Sequence, residues 1–590
     1  MASLIPLLST TQIAALSTQS IVNLSTSDWA LFNTAQIAAL TTAQIEAIET
    51  ADIRALTTTS VAALTSDQVA ALNTTHIAAL STTQVAVLNT AQVSAIETTD
   101  IGALTTAAIR VLTTSAVGAL TTDQIVALNS AQLSSLATTQ IVALNTDQIA
   151  AIDTVDLRML TTAQIAAMTT VQISSLNTDQ VGALTTAETR AITTAGIAAL
   201  TTDQIAALTT VQLGALSTTQ VAALNTRQVS SIDTADIGAL NTADIRALNT
   251  AAVTALTTDQ IAALNTAQVA SFATTQIAAL TTDQVAAIET VDVSVMSTAQ
   301  VAAFNTNQLA ALTTDQVSAL TTSAVRALTT AGVGALTTDQ IGALNTAQIA
   351  ALSTSQVAAL NTAQVSSIDT SDISALNTAS MRALTTASVA ALTTDQIAAL
   401  SSTQVASFAT NQIAALNTDQ VAAIETTDLA VMTTAQVASM TTAQLAALTT
   451  DQIGVLNTTD VRVLSTAGIA ALTTDQIVAL NTAQIAALGT TQVGALNTAQ
   501  VSVIDTSDIS AFNTASIRAL TTAAINALTT DQVAALNSAQ ISTLATNQAN
   551  AISVDASGNI TIGGSVSGGV IGAGMTASGK ADAFLAKFDS

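Results

Sequence analysis

The sequence predicts an all-α solenoid of very short helices, followed by a small Gly-rich β tail. An eight-residue unit recurs without insertion or deletion from residue 9 to residue 552, which divides this stretch into 68 octads. Large apolar side chains occupy positions 5 and 8 of the octad, as in 201–208, and most other positions hold Ala, Thr or Gln. Because a spacing of three places two side chains on one face of a helix and on opposite faces of a strand, the octad is predicted to be helical.

The repeat divides the chain into three predicted segments. Residues 1–8 are an N-terminal cap, residues 9–552 are the octad solenoid, and residues 553–590 are the Gly-rich β tail. In the tail, Gly clusters and the alternating Ile560 and Ile562 predict short strands joined by tight turns. A cap for the solenoid and a secretion signal are the two roles considered for this tail.

Each helix is predicted to span positions 3 to 8 of its octad. Position 2 is Thr or Ser in every octad, which favours that residue as the N-cap. Position 1 is the alternative, since Thr201 to Gln204 has the Thr-x-x-Gln pattern of a capping box. Positions 3 and 6 are predicted to face water.

The octads cannot form one continuous helix. Eight residues advance a helix by about 800°, roughly 80° past two full turns, so the apolar stripe would wind around its surface. The chain must therefore bend in each octad and wind into coils, with two to four octads per coil. The alternative is a β-solenoid with ladders of Thr and Asn, which accounts for the hydroxyl at position 2 but not for the apolar spacing of three.

A longer period is superimposed on the octads. Acidic residues at position 1 and Arg residues at position 6 recur every 136 residues, so the array is four copies of a 17-octad block; examples are Glu97, Asp233, Asp369 and Asp505, and Arg110, Arg246, Arg382 and Arg518. Duplication of a DNA block explains this period without any function. Alternatively, 17 octads complete a whole number of superhelical turns, so that Arg residues line up on one side and meet acidic rows of another molecule.

Composition excludes several classes of partner and chemistry. The 12 basic and 38 acidic residues give a net charge of −26, which repels phosphate backbones and anionic lipids, so nucleic acid is not a predicted partner. No run reaches the roughly 20 apolar residues of a membrane span, so membrane insertion is not predicted either. The chain has no Cys, which excludes disulfides and thiolate chemistry.

No catalytic, cofactor-binding or metal-binding residue is assigned from the sequence, and the chain is predicted not to be an enzyme. Its single His, His76, replaces the Gln of its octad and is predicted to face solvent. Trp29 and the Phe residues at position 8 are predicted to fill the core. Ca²⁺ is the one cofactor considered, at the Asp-x-Ser-Gly-Asn turn of residues 555–559, where an ordinary Asx turn is the alternative.

Two resemblances point to a bacterial exterior. Residues 555–563 together with residues 582–589 resemble one blade of the bacterial beta-propeller repeat family found in secreted proteins. The octads resemble the repeats of large bacterial secreted or cell-surface proteins described as adhesin-like. These resemblances imply an extracellular or cell-surface location. The first eight residues lack a charged leader and a long apolar core, so no cleaved N-terminal signal peptide is predicted.

The sequence therefore predicts a non-enzymatic structural or adhesive repeat protein of the bacterial cell surface or extracellular matrix, able to form filaments by stacking of exposed ends. The predicted partners are the protein itself, other surface proteins or polysaccharide. The alternative function is a binding module whose Thr and Asn rows recognise an ordered ligand such as a polysaccharide, ice or another repeat protein.

Overall fold

A computed structural model of the chain describes residues 4–544 and the backbone of two short strands near the C-terminus. The chain divides into two compact units, Met1–Met296 and Ser297–Ser590. In the described residues, 67 α-helices follow one another at eight-residue intervals, one in each octad from 9 to 544. The predicted all-α solenoid is confirmed, and the β-solenoid alternative is wrong for these octads.

The helices begin at position 2 of the octad and end at position 5, 6 or 7. Ten have four residues: Thr26–Trp29, Thr50–Ile53, Thr82–Val85, Thr98–Ile101, Thr154–Leu157, Thr234–Ile237, Thr290–Val293, Thr370–Ile373, Thr426–Leu429 and Thr490–Val493. Those with five residues are Thr10–Ala14, Thr18–Val22, Thr34–Ala38, Thr42–Glu46, Thr58–Ala62, Ser66–Ala70, Thr90–Ser94, Thr114–Gly118, Thr146–Ala150, Thr202–Ala206, Thr218–Ala222, Thr226–Ser230, Thr258–Ala262, Thr282–Ala286, Thr298–Ala302, Thr338–Gly342, Thr354–Ala358, Thr362–Ser366, Thr386–Ala390, Thr394–Ala398, Thr418–Ala422, Thr434–Ala438, Thr498–Ser502, Thr522–Asn526 and Ser538–Ser542. Every other helix has six residues, from Thr74–Ala79 to Thr530–Ala535, and a 3₁₀ helix, Ile5–Leu7, precedes the first octad.

The N-cap is the residue at position 1, so the preferred assignment to position 2 is wrong. Thr201 has extended backbone angles, and its hydroxyl accepts a hydrogen bond from the backbone N–H of Gln204 at 3.2 Å. In return, the side-chain Oε1 of Gln204 accepts from the backbone N–H of Thr201 at 2.8 Å. This reciprocal pair is a capping box, and it satisfies two backbone donors that the helix start would leave without partners. Thr202, at position 2, is already the first helical residue.

The bend between octads comes from two consecutive extended residues. Leu200, at position 8, has a ψ of 140°, and Thr201, at position 1 of the next octad, has a ψ of 165°. The backbone N–H of Leu200 still bonds to the carbonyl of Ile197, which closes the preceding helix. Each octad therefore ends its helix and redirects the chain before the next helix begins.

The core contains the side chains of positions 5 and 8, as predicted. In the octad 201–208, Ile205 is 2% exposed and Leu208 is 3% exposed, whereas Asp203 and Ala206, at positions 3 and 6, face water as predicted. Position 4 is also buried, since Gln204 is only 2% exposed. Burial of a polar amide is unfavourable without hydrogen bonds, so this Gln must have partners inside the solenoid.

Those partners lie in the preceding coil. The Nε2 group of Gln204 donates to the carbonyl oxygens of Ile173 at 3.0 Å and Leu176 at 2.6 Å, both in the octad four places earlier. The helix Thr194–Ala199 packs against Thr170–Ser175, three octads earlier. Since neighbours lie three and four octads away, one coil contains between three and four octads, within the predicted range of two to four.

Two strands follow the last described helix. Strand β1 (Ile552–Val554) pairs antiparallel with β2 (Ile560–Ile562), and Ser553 lies opposite Thr561. β1 begins at Ile552, the last residue of the predicted array. The propeller-blade resemblance, the predicted Ca²⁺ turn at residues 555–559 and the rest of the tail lie outside the described residues.

Candidate functional site

The exposed Asp residues at position 3 follow a spacing that matches the coils. In each unit, successive Asp residues are separated by three, four or seven octads: Asp67, Asp123, Asp147, Asp179, Asp203, Asp259 and Asp283 in Met1–Met296, and Asp315, Asp339, Asp395, Asp419, Asp451, Asp475 and Asp531 in Ser297–Ser590. A step of three or four octads is close to one coil, and a step of seven is close to two. These carboxylates therefore lie on the same side of each unit.

Acidic residues at position 1 fill the steps of seven. Glu97 and Asp233 in the first unit, and Asp369 and Asp505 in the second, lie four octads after one position-3 Asp and three octads before the next. All four are exposed. We call the position-3 Asp residues and these four residues the acidic row. The acidic row has a carboxylate on successive coils of each unit.

A surface groove in the second unit contains two members of the acidic row. The groove has a volume of about 370 Å³, and Asp395 and Asp451 of the row line it together with Glu425 and the hydroxyl-bearing Thr394 and Thr426. The three carboxylates come from octads that are four and three places apart. A groove lined by charges of one sign concentrates the negative potential and attracts cationic groups.

A row of arginines lies beside the acidic row. The octad that directly follows an acidic-row octad carries an exposed Arg at position 6 in eight cases: Arg110, Arg158, Arg190 and Arg246 in the first unit, and Arg326, Arg382, Arg462 and Arg518 in the second. Seven of them, all except Arg158, are separated within each unit by seven or ten octads, and we call these seven the Arg row. One octad is a quarter to a third of a coil, so the Arg row lies on the neighbouring side. Position 6 is near the C-terminal end of each short helix, where a cation interacts favourably with the backbone carbonyls.

Asp replaces the buried Gln in several octads next to the charged rows. Asp372 accepts a hydrogen bond at 2.5 Å from the hydroxyl of Thr346, which lies at position 2 three octads earlier. The same contact joins Thr74 to Asp100 at 2.5 Å, and also Ser130 to Asp156 and Thr210 to Asp236. In these four cases the position-2 hydroxyl donates to an Asp of the adjacent coil, in the octad three places later.

Burial changes the pKa of some of these carboxyls. Desolvation raises the pKa of Asp244, while a backbone hydrogen bond from Asn241 and the charge of Arg190 oppose the rise. Desolvation likewise raises the pKa of Asp52, Asp292 and Asp460. The octads that hold Arg190 and Asp244 are seven places apart, so their interaction places octads separated by two coils on one side.

The exposed carboxyls Asp369 and Asp505 show the opposite effect. Hydrogen bonds from the backbone and side chain of Ser371 lower the pKa of Asp369, and Ser507 lowers the pKa of Asp505 in the same way. Both carboxylates belong to the acidic row. Hydrogen bonds to the charged form keep these members of the row ionised.

The predicted exposure of His76 is wrong. This residue is 3% exposed, its Nε2 lies 2.8 Å from the carbonyl oxygen of Ile48 in the preceding coil, and burial lowers its pKa. It takes the place of the buried Gln and makes one of that residue's contacts. Trp29 is fully buried as predicted and stacks on Phe32 with a centroid distance of 4.9 Å.

Within the described residues, no group of three or more His, Asp or Glu side chains is arranged to hold a metal ion. None of the helices that the structure describes combines the length and apolar character needed to cross a bilayer. The assignments of no catalytic, cofactor-binding or metal-binding residue stay predictions.

One repeat family matches most of the array. The model of the ALTTAQ repeat matches overlapping segments that together cover residues 45–130, 149–218, 229–402 and 421–538. The chain belongs to the ALTTAQ repeat family. The family phrase occurs at residues 39–44, where it covers positions 7 and 8 of one octad and positions 1 to 4 of the next. The ALTTAQ phrase thus spans the bend, the capping box and the buried Gln. No curated protein matches the chain.

The sequence reasoning missed two features of this ALTTAQ repeat protein, the buried Gln and the acidic row. The spacing of Asp123, Asp147, Asp179 and Asp203 in steps of three, four and three octads is the signal that identifies the row. This spacing indicates a row on one side of the solenoid only when one coil is known to contain between three and four octads.

Proposed function

We propose that the chain is a non-enzymatic structural repeat protein of the bacterial cell surface or extracellular matrix, with an adhesive role for its repeated faces. The repeat family and the helical solenoid support a structural role. The resemblance of the octads to adhesin-like surface proteins supports the location. The proposed partners are further copies, other surface proteins or polysaccharide, and no cofactor is required.

The observation that carries this proposal is the Gln contact between coils. Gln204, Gln212, Gln220 and Gln228 occupy position 4 of four consecutive octads, which is slightly more than one coil, and each donates to carbonyl oxygens at positions 5 and 8 of the octad four places earlier. Two adjacent coils cannot separate without breaking all of these bonds. Such an arrangement resists extension at every coil, which is what a scaffold under mechanical load requires.

The ice-binding form of the alternative function depended on flat β-ladders of Thr. The octads are helical, so this form loses its physical basis. Recognition of a polysaccharide or of another repeat protein stays within the proposed adhesive role.

Force spectroscopy of the full chain, held at its two ends, tests the structural role. We expect unfolding in small, nearly equal steps, since each coil contacts mainly its neighbours. Replacing Gln204, Gln212, Gln220 and Gln228 by Ala should lower the force of one step and leave the others unchanged. Extension without measurable resistance would contradict the proposal. Protease treatment of intact source cells tests the location, and a chain that resists digestion until lysis would contradict it.

A further inference from the structure

We infer that two copies of this chain associate side by side and in the same direction, with the acidic row of each copy facing the Arg row of the other. The inference rests on the proposed structural function and names a second copy as the partner of the charged surface. Three properties of the described residues support it: the shared period of the two rows, their neighbouring positions, and the exposure of both.

The two rows have the same period along each unit. Arg190 and Arg246 are seven octads apart, Arg326 and Arg382 are also seven apart, and Arg382 and Arg462 are ten apart. If 17 octads complete five coils, one coil contains 3.4 octads, which lies between the limits of three and four set by the contacts between coils. Steps of seven and ten octads then equal about two and three coils, so the Arg residues lie in one narrow line.

The rows also match in height. Arg246 follows Asp233 by one octad, Arg382 follows Asp369 in the same way, and Arg462 follows Asp451. Each Arg is therefore displaced from its acidic neighbour by a fraction of one coil. When a second copy lies at the same height, every Arg in its row faces a carboxylate of the first copy.

The arrangement of the rows decides the relative direction of the copies. The rows lie on neighbouring sides, so the contact line runs between them. A two-fold axis parallel to the coil axis brings the acidic row of one copy against the Arg row of the other, and the reverse. A two-fold axis perpendicular to the coil axis brings like rows together, which charge repulsion disfavours.

Ionic strength determines whether local attraction or overall repulsion prevails. Each copy has a net charge of −26, so two copies repel at low salt. At 0.15 M salt the Debye length is about 8 Å, which screens the distant charges but not pairs in contact. Individual exposed pairs are weak. Several pairs in register act together, so association should be strongest at intermediate salt.

Sedimentation equilibrium of the full chain tests the association. We expect a dimer at 0.15 M NaCl that weakens at 1 M NaCl. Arg382→Glu combined with Arg246→Glu should raise the dissociation constant on the order of tenfold or more. The matched control is Arg227→Glu, an exposed Arg at position 3 that is outside the Arg row. It should change the constant by less than about twofold. A monomer at all salt concentrations, or an equal effect of the control, overturns the inference.

Disulfide crosslinking tests the direction, because the chain has no Cys of its own. Ser374→Cys places a thiol in the octad of Asp369, near the contact line, and Ala390→Cys places one two octads later, on the opposite side. Both side chains are exposed. Copies in the same direction bring residue 374 close to its equivalent, so oxidation should crosslink Ser374→Cys several-fold more than Ala390→Cys. Equal crosslinking overturns the parallel arrangement. If the chain is monomeric, this inference fails. The Gln contacts between coils, and the force measurement that tests the structural role, are not affected by that result.

Discussion

The side-chain amide of Gln204 donates a hydrogen bond of 2.6 Å to the carbonyl oxygen of Leu176, 28 residues earlier in the chain. Leu176 is the position-8 residue of its octad, and its carbonyl points away from its own helix at the bend. Gln204 thus satisfies a backbone acceptor that the short helix cannot. At the same time its Oε1 atom caps its own helix. One side chain joins the local capping box to the stacking of the coils.

Removal of this side chain is expected to weaken the coil locally. Gln204→Ala removes the bonds to Ile173, Leu176 and Thr201 and leaves two buried carbonyl oxygens with fewer donors. The expected loss is about 2–4 kcal/mol, from one to two net hydrogen bonds and the cost of an unsatisfied buried acceptor. Hydrogen exchange of peptides that cover residues 170–210 measures the local free energy of opening.

Gln19→Ala is the matched control for Gln204→Ala, since Gln19 lies at position 3 and is exposed. Its effect should stay within about 0.5 kcal/mol. If Gln204→Ala opens no more readily than Gln19→Ala, the contacts between coils do not contribute to stability as argued.

The position of the N-cap yields a second pair of variants. Thr201→Ala removes the hydroxyl that accepts from the backbone N–H of Gln204, which should cost about 1 kcal/mol. Thr202→Ala changes an exposed first-turn residue whose substitution leaves the cap intact, and should cost less than half as much. Local hydrogen exchange distinguishes the two variants. If Thr202→Ala lost more stability than Thr201→Ala, the residue at position 2, and not the N-cap at position 1, would be the one that stabilises the helix start.

The pH dependence of stability should reveal the buried carboxyls. Burial raises the folded-state pKa of Asp244 above its ordinary value of 3.8, so the folded chain binds this proton more tightly than the unfolded chain. The contribution of this bound proton to the stability of the folded chain is therefore complete below pH 3.8, and it is lost as the pH rises through the folded-state pKa of Asp244. Asp244→Asn, which stays neutral, should stabilise the chain at pH 7 by about 1 kcal/mol and have little effect at pH 3.

The control for Asp244→Asn is Asp203→Asn, an exposed residue in the first turn of its helix. Loss of its favourable interaction with the helix start should cost a few tenths of a kcal/mol at pH 7. Urea unfolding followed by circular dichroism at pH 7 and pH 3 compares both variants with the parent chain. A stabilising effect of Asp244→Asn that is equal at both pH values would show that the charge of Asp244 is not responsible.

Part of the fold can be predicted from a single octad, and the remaining part depends on contacts between octads. Ile205 and Leu208 lie three residues apart, so their shared helical face and their burial follow from spacing alone. The burial of Gln204 does not, because its partners are 31 and 28 residues away and no local pattern indicates them. The wrong prediction for His76 has the same cause, since it occupies the same position.

The choice of N-cap shows how a strict pattern can mislead. The hydroxyl at position 2 is more constant than the residue at position 1, where Thr, Asn, Ser, Asp, Glu and Ala all occur. Where position 4 is Gln, its side chain bonds to the backbone N–H at position 1 whatever the side chain there, as it does for Ala137 at 2.7 Å. Where position 1 is Asp or Glu, position 4 is Asp. Prediction of the acidic row from the sequence would have required the number of octads per coil, which only the contacts between coils provide.

Two glycines in one helix make a final test of packing. Gly332 and Gly334 both lie in the helix Thr330–Ala335, where Gly is normally less favourable than Ala by roughly 0.5–1 kcal/mol. A Cβ at Gly334 would lie 3.5 Å from the carbonyl oxygen of Ala359, an ordinary contact, so Gly334→Ala should stabilise the helix by that amount.

A Cβ at Gly332 would lie 2.6 Å from Cδ1 of Leu309 in the adjacent coil. Leu309 is 1% exposed and cannot move into solvent, so Gly332→Ala should destabilise the coil despite its better helix propensity. Opposite signs in local hydrogen exchange would show that the packing of Leu309 against the adjacent coil, rather than helix propensity, determines the effect of a methyl group at residue 332. Equal stabilisation by both substitutions would mean that the side chain of Leu309 shifts to admit a methyl group without loss of packing.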